Sequence, residues 1–153
     1  MRSSMSRRPV VRPVPAVLAV VMLVGLIAVV AWPNAWAINR AVVRIYVWGL
    51  QAGVPREVTP EHWAAGLNVL LFVPATALVL LALPRLRWVW VLGAAVLGSV
   101  AVEVLQGMSG ARQAEVLDVV TNSLGAAVGC LLVEVRRARL RDDEASGCPE
   151  GLR

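Results

Sequence analysis

The sequence contains no lysine, a single histidine and two cysteines, and it lacks the short motifs around which many enzymes build a reactive centre. No CxxC pair, H-E-x-x-H, Walker loop, GxGxxG or Ser-His-Asp set occurs in it, so the enzyme classes that depend on those arrangements have no signature here. Cys130 stands in an apolar run and Cys148 in a charged tail, without metal-ligand spacing, so both are expected as free thiols and neither a metal nor a cofactor is expected. His62 sits at the mouth of an apolar run, where it reads as an interfacial residue rather than a catalytic base.

What the chain does contain is apolar. A hydrophobic content of 58% and a mean hydropathy of +0.69 exceed what a soluble core of 153 residues can hide. Fifteen arginines against ten acids give a net charge of +5, which in a soluble domain would suggest nucleic acid. The arginines instead cluster at the ends of apolar runs, so their partner is the membrane and no nucleic acid is expected. A hydrocarbon layer of about 30 Å takes roughly 20 helical residues, and four runs approach that length: 14–32, 63–83, 88–106 and 116–135. The fold class is therefore read as all-α, a polytopic bundle of four transmembrane helices. The first run has a rival reading as a secretory signal, because residues 35–37, Ala-Trp-Ala, resemble a small-x-small cleavage site. Its apolar stretch is longer than the ~7–15 residues of a signal core, which favours an anchor.

Orientation follows from arginine placement. Arg2, Arg7, Arg8 and Arg12 precede the first run, Arg85 and Arg87 join the second to the third, and Arg136, Arg137, Arg139 and Arg141 follow the fourth. Only Arg40, Arg44, Arg56 and Arg112 fall on the opposite side, so both termini are expected in the cytoplasm of a cell membrane. Residues 1–13 then form a basic tail, 33–62 an extracytoplasmic loop, and 136–153 a charged tail with the composition of a disordered segment. Within the loop, the stretch AVVRIYVWGL is mildly amphipathic and suits either a solvated loop or a segment lying along the outer surface.

Polar residues interrupt the last three runs at helical spacing. Ser99, Glu103 and Gln106 share one helix face, Asp118, Asn122, Gly125 and Gly129 share another, and Asn68 precedes Pro74, which should kink its helix. At ~1.5 Å per residue, Asn68 lies about 8 Å, Glu103 about 5 Å and Asn122 about 9 Å from the outer ends of their runs. The three therefore share one level, and an inward-facing bundle gathers them with Ser99, Gln106 and Asp118 in a pocket closed by Arg112 and Glu115. The inner half offers no comparable set, which makes a transport path unnatural. Polar groups of this kind also glue helices together at about 0.6 kcal/mol each, but a carboxylate at membrane depth costs a few kcal/mol and more often marks a functional site. The small residues Gly125 and Gly129 form a small-xxx-small stripe suited to close packing, within the chain or against a second copy.

In this order the segments NVLLFVP, SVAVEVLQ and RQAEVLDVVTNSLG resemble the VanZ-like family of small polytopic membrane proteins. The matching positions are Asn68, Phe72 and Pro74, then Ser99, Glu103 and Gln106, then Arg112, Asp118, Asn122 and Gly125. They place a VanZ-like region over 63–135, with the matching motifs between 68 and 129. Ala75 and Thr76 stand where a glycine is expected after the proline, and Glu115 stands where an aspartate is usual. The resemblance implies a protein of the cell envelope linked to teicoplanin resistance.

Three functions compete on these residues. The first is a pocket that binds or modulates the head group of a lipid-linked envelope precursor or a lipoglycopeptide, with Arg112 as a two-point partner for phosphate or carboxylate. The second is a membrane enzyme acting on a lipid-linked substrate, with Glu103 and Asp118 as acid and base. The third is a structural subunit. The topology common to all three is testable in intact cells: single cysteines at positions 55 and 110 should react with an impermeant thiol reagent. A cysteine at position 86, and native Cys148, should react only after lysis; labelling of either in intact cells reverses the orientation.

Overall fold

A computed structural model describes residues 11–30, 35–109 and 115–146. These form five helices, α1 (Pro13–Val30), α2 (Ala35–Gln51), α3 (Pro60–Ala82), α4 (Trp88–Ser109) and α5 (Val116–Ser146), with no strand among the described residues. The three helices α3, α4 and α5 are long and apolar enough to cross a membrane, while α1 is apolar but shorter, at 18 residues. A helix of that length reaches about 27 Å, slightly under a ~30 Å hydrocarbon layer. Residues 31 and 32 of the expected first run lie outside the described residues.

Two segments differ from the sequence reading. The stretch left open between loop and surface segment is a 17-residue helix, α2, and Ala35 and Ala37 of the cleavage-like triplet stand in its first turn. The charged segment after Arg136, whose composition suggests disorder, continues α5 as far as Ser146. Arginine, leucine, alanine and glutamate are good helix formers, and an established helix lets them propagate without a new nucleus. Glu134 and Arg137, three apart and 2.7 Å from each other, support the crossing into that segment.

Local chemistry sets the helix ends. Gly53, at φ +90°, closes α2 in a conformation that side chains disfavour, while its N–H donates to the Leu50 carbonyl and that of Val54 to the Gly49 carbonyl. Thr59 then opens α3 with Pro60 in the first turn, and Nδ1 of His62 accepts the Thr59 N–H at 3.1 Å. His62 is thus a helix cap. At the far end of α3 the Leu80 carbonyl would look to residue 84, but Pro84 has no N–H to give. The Arg137 guanidinium donates to that carbonyl at 2.7 Å instead. Pro84 also starts the turn into α4, in which the Leu86 N–H donates to the Leu83 carbonyl.

The contacts fix the directions. α3 and α5 pack most extensively and run parallel, since Asn68 meets Asp118, Thr76 meets Ala126 and Leu80 meets Arg137 in rising order. α4 returns antiparallel between them in sequence, with Cys130 near Trp88, Asn122 on Ser99 and Glu115 on Glu103. α1 starts beside the end of α3, where the Arg12 N–H donates to the Ala82 carbonyl, and α2 packs on the opposite end through Gly49 and Trp63.

Gly125 and Gly129 allow the parallel pair to approach. A Cβ at Gly125 would stand 2.5 Å from the Val69 carbonyl oxygen, and one at Gly129 would collide with the Val73 carbonyl and the Thr76 hydroxyl. The small-residue stripe is therefore packed against α3 of the same chain. Thr76, where a glycine was expected, secures the same contact: its hydroxyl lies 2.9 Å from the Phe72 carbonyl and 3.3 Å from the Ala126 carbonyl across the interface. α3 continues as one helix through Pro74. Beyond this contact the α3 C-terminal end holds the apolar core of Leu80, Val91, Cys130 and Val133.

Gly129→Ala should lower stability by about 1–3 kcal/mol, the usual range for overpacking a close contact. Gly98→Ala, where a Cβ meets nothing within 4 Å, should not. Thermal unfolding of the two variants in detergent separates the cases.

Candidate functional site

The polar residues singled out in the sequence converge at the end of the bundle where α3 and α5 begin and α4 finishes. α3 contributes Asn68, half-buried two turns in; α4 contributes Ser99 and Glu103, at 5% and 8% exposure; α5 contributes Asp118 and Asn122, half-buried in its opening turns. Gln106 lies half-buried on α4 and Glu115 is exposed immediately before α5. Arg112 belongs to 110–114, outside the described residues.

The pairing within this set differs from the one that depth alone suggests. Matched levels favour a Glu103 carboxylate bonded to Asn68 and Asn122, whereas its partner among the described residues is the Glu115 backbone N–H, at 2.8 Å. That N–H stands at the opening of α5, where the first backbone donors of a helix have no internal acceptor and the dipole is positive. A buried carboxylate from α4 therefore closes the end of α5. Helix-end chemistry has outweighed pairing between side chains.

Asn68 turns to α5 instead. Its Nδ2 donates to Asp118 Oδ1 at 2.9 Å and reaches Thr121 Oγ1 at 3.5 Å. Thr121, buried at 7% exposure, was missed in the sequence because a threonine in an apolar run reads as a β-branched helix residue. Its position three after Asp118 was the available signal, since that spacing puts the two on one face. The third link joins α4 to α5: Asn122 Nδ2 donates to Ser99 Oγ at 2.9 Å. Asn122 Oδ1 is buried with no partner among the described residues, an uncommon state for a carbonyl oxygen.

The arrangement is a joint among three helices in which both acids accept protein N–H donors. No group of three or more His, Cys, Asp or Glu side chains able to hold a metal ion occurs among the described residues. What the site offers chemically is hydrogen bonding: carboxylate oxygens, amide groups and two hydroxyls, with Ser99, Glu103 and Thr121 buried, where a bond is electrostatically stronger than in solvent.

Glu103→Ala should leave the Glu115 N–H without its acceptor and lower stability by about 1–3 kcal/mol. Glu103→Gln keeps an acceptor but removes the charge from the helix end, so its smaller loss should fall within about 0.3–2 kcal/mol. Unfolding midpoints matching the unsubstituted protein in both variants would remove Glu103 from the joint.

Comparison with curated proteins and with solved structures returns no match. A family model described as VanZ/LLP1 matches residues 14–137. The match is longer than the stretch between 68 and 129 that carries the resemblance in sequence, and it takes in α1 and α2 together with the three-helix joint. Most of the chain is covered, including every element that builds the polar end, and the protein belongs to the VanZ-like family.

Proposed function

We propose that this VanZ-like protein is a multi-pass protein of the cell membrane, with both termini cytoplasmic and the polar end of its bundle facing outward. There it binds or modulates the polar part of a lipid-linked envelope precursor or of a lipoglycopeptide antibiotic. The observation that carries this reading is the one-sided distribution of polar groups. Asn68, Ser99, Glu103, Asp118, Thr121 and Asn122 occupy one end, whereas the buried side chains near the opposite end are Leu80, Val91, Cys130 and Val133, with the Glu134–Arg137 pair beside them. Polar groups gathered at one end suit a ligand that is held there, since a transported solute needs polar groups along the whole path. The buried Asn122 Oδ1, without a partner among the described residues, adds an acceptor suited to a hydroxyl or amide of such a ligand.

Arg112, in the connection from α4 to α5, supplies the anion partner in this proposal: its planar fork matches phosphate or carboxylate at two points. The family's link to teicoplanin resistance supports a ligand from the cell envelope. The bonds from protein donors to Glu103 and Asp118 favour binding over acid and base chemistry on the same substrate, because both carboxylates are already engaged.

The test is mass spectrometry of lipids retained by the protein purified with its surrounding membrane. A lipid-linked saccharide should be enriched over bulk membrane and lost in Asn68→Ala. Arg112→Lys should restore little of what Arg112→Glu removes, since the charge returns without the fork. A lipid profile equal to bulk membrane, together with unchanged teicoplanin susceptibility on deletion, would overturn the reading. Turnover of the retained lipid that disappears in Glu103→Gln would instead favour the enzyme.

A further inference from the structure

α2 has a surface that the polar end does not explain. It is the one helix of the five with basic residues in its middle and no acid anywhere along it. Arg40 and Arg44 are one turn apart and exposed, and Asn39 and Gln51 are exposed with them. Trp36 and Trp48 lie 66% and 75% exposed, and Val43 and Val47 are exposed between them. The opposite side of the helix is better covered, with Ile38, Val42 and Ile45 half-buried and Gly49 buried.

Helical spacing orders the exposed face. Trp36, Val43 and Val47 fall along one line, Arg40, Arg44 and Gln51 along the next, and Trp48 beyond them. The guanidinium groups are thus flanked by large apolar side chains. Trp36, Asn39, Arg40, Val43 and Arg44 line an open groove of about 300 Å³. Arg40 is already positioned there, its guanidinium carbon 4.1 Å from the centre of the Trp36 ring. A cation stacked on a ring face keeps its edge N–H groups available to an anion.

The location is equally specific. α2 touches α3 less than α1 does, and it does so through Gly49, where a Cβ would stand 2.6 Å from Cζ2 of Trp63, in the first turn of α3. α2 therefore meets the bundle where a spanning helix emerges from the hydrocarbon layer, a level that indole rings prefer. A 17-residue helix carrying two arginines does not belong in hydrocarbon, while four large apolar side chains on its open face do not belong in water.

We propose that α2 lies in the plane of the membrane surface and that Arg40 and Arg44 bind the phosphodiester of anionic phospholipids, with Trp36, Val43, Val47 and Trp48 set among the upper acyl chains. Charge complementarity selects this occupant. A zwitterionic head group carries its own cation and gains less from two arginines unaccompanied by an acid on the helix. The acids nearest in sequence, Glu57 and Glu61, lie past the C-terminal end of α2, in the turn and at the start of α3. The surface is separate from the three-helix joint, so this proposal stands whatever that joint binds.

Two measurements on the full chain test it. Native mass spectrometry of protein offered equal amounts of phosphatidylglycerol and phosphatidylcholine should show phosphatidylglycerol preferred. That preference should fall by about fivefold for each arginine removed in Arg40→Gln and Arg44→Gln, and persist in Arg85→Gln with Arg87→Gln. Arg40→Lys with Arg44→Lys should retain most of it, because a surface reads charge before fork geometry. Soluble glycerol phosphate should not compete; competition at equal concentration would make this a site for free phosphate and overturn the lipid assignment. An unchanged preference in the Arg40→Gln, Arg44→Gln variant would overturn it as well.

The second measurement leaves the arginines in place. Nitroxides on Asn39→Cys, Val43→Cys and Val47→Cys, each in a background without Cys130 and Cys148, should report one common depth at the head-group level. Depths graded by about 12 Å from position 39 to position 47 would mean that α2 crosses the layer, and uniform exposure to water would mean that it stands clear of it. Either result removes the in-plane helix.

Discussion

The close approach of α3 and α5 sets the position of the polar groups at their N-terminal ends. Gly125 and Gly129 let the backbone of α3 come within contact of α5, so that Val69, Phe72, Val73 and Thr76 occupy the space that side chains would fill. Without a hydrophobic drive between helices in lipid, van der Waals contact of this kind and a few hydrogen bonds supply the association. Thr76 adds one of those bonds, to the Ala126 carbonyl. Once the register is fixed at Gly125 and Gly129, Asn68 has Asp118 and Thr121 as its neighbours.

α4 is attached to this pair at both ends by different means. Near the α3 C-terminus the attachment is apolar, through Val91 against Leu80, Cys130 and Val133. At the polar end it depends on Ser99 with Asn122 and on Glu103 with the Glu115 N–H. A carboxylate is costly at membrane depth, and the end of α5 is one of the few places where backbone donors await an acceptor. Glu103, one of the two acids of the site, therefore also holds α4 to the start of α5. Structural and binding roles for Glu103 are consequently not alternatives.

α2 packs beside the polar end, against the start of α3. The three-helix joint presents carboxylates, amides and hydroxyls, whereas α2 presents arginine beside tryptophan and has no acid. Gly49 packed on Trp63 ties the position of α2 to the start of α3, a few residues before Asn68.

The positions of the apolar runs were legible in the sequence, because the length of a membrane span and the helical period constrain them directly, although the helix of the fourth run continues past residue 135 to Ser146. Helical spacing singled out Ser99, Glu103, Asp118 and Asn122, matched depth added Asn68, and the structure brings the five to one end of the bundle. Their pairing was not legible, since two helices at the right level still admit several rotations and registers, and the glycine contact chooses among them. Thr121 and Thr76 were hidden by chemistry that a one-dimensional pattern treats as neutral, and the Glu103 carboxylate met a backbone N–H that no side-chain pattern displays. The glycine stripe shows the same division: the sequence determined that Gly125 and Gly129 would accept a close neighbour, and only the tertiary structure decided that the neighbour is α3 of the same chain. Periodicity specifies a face, but what covers that face depends on packing between segments distant in sequence.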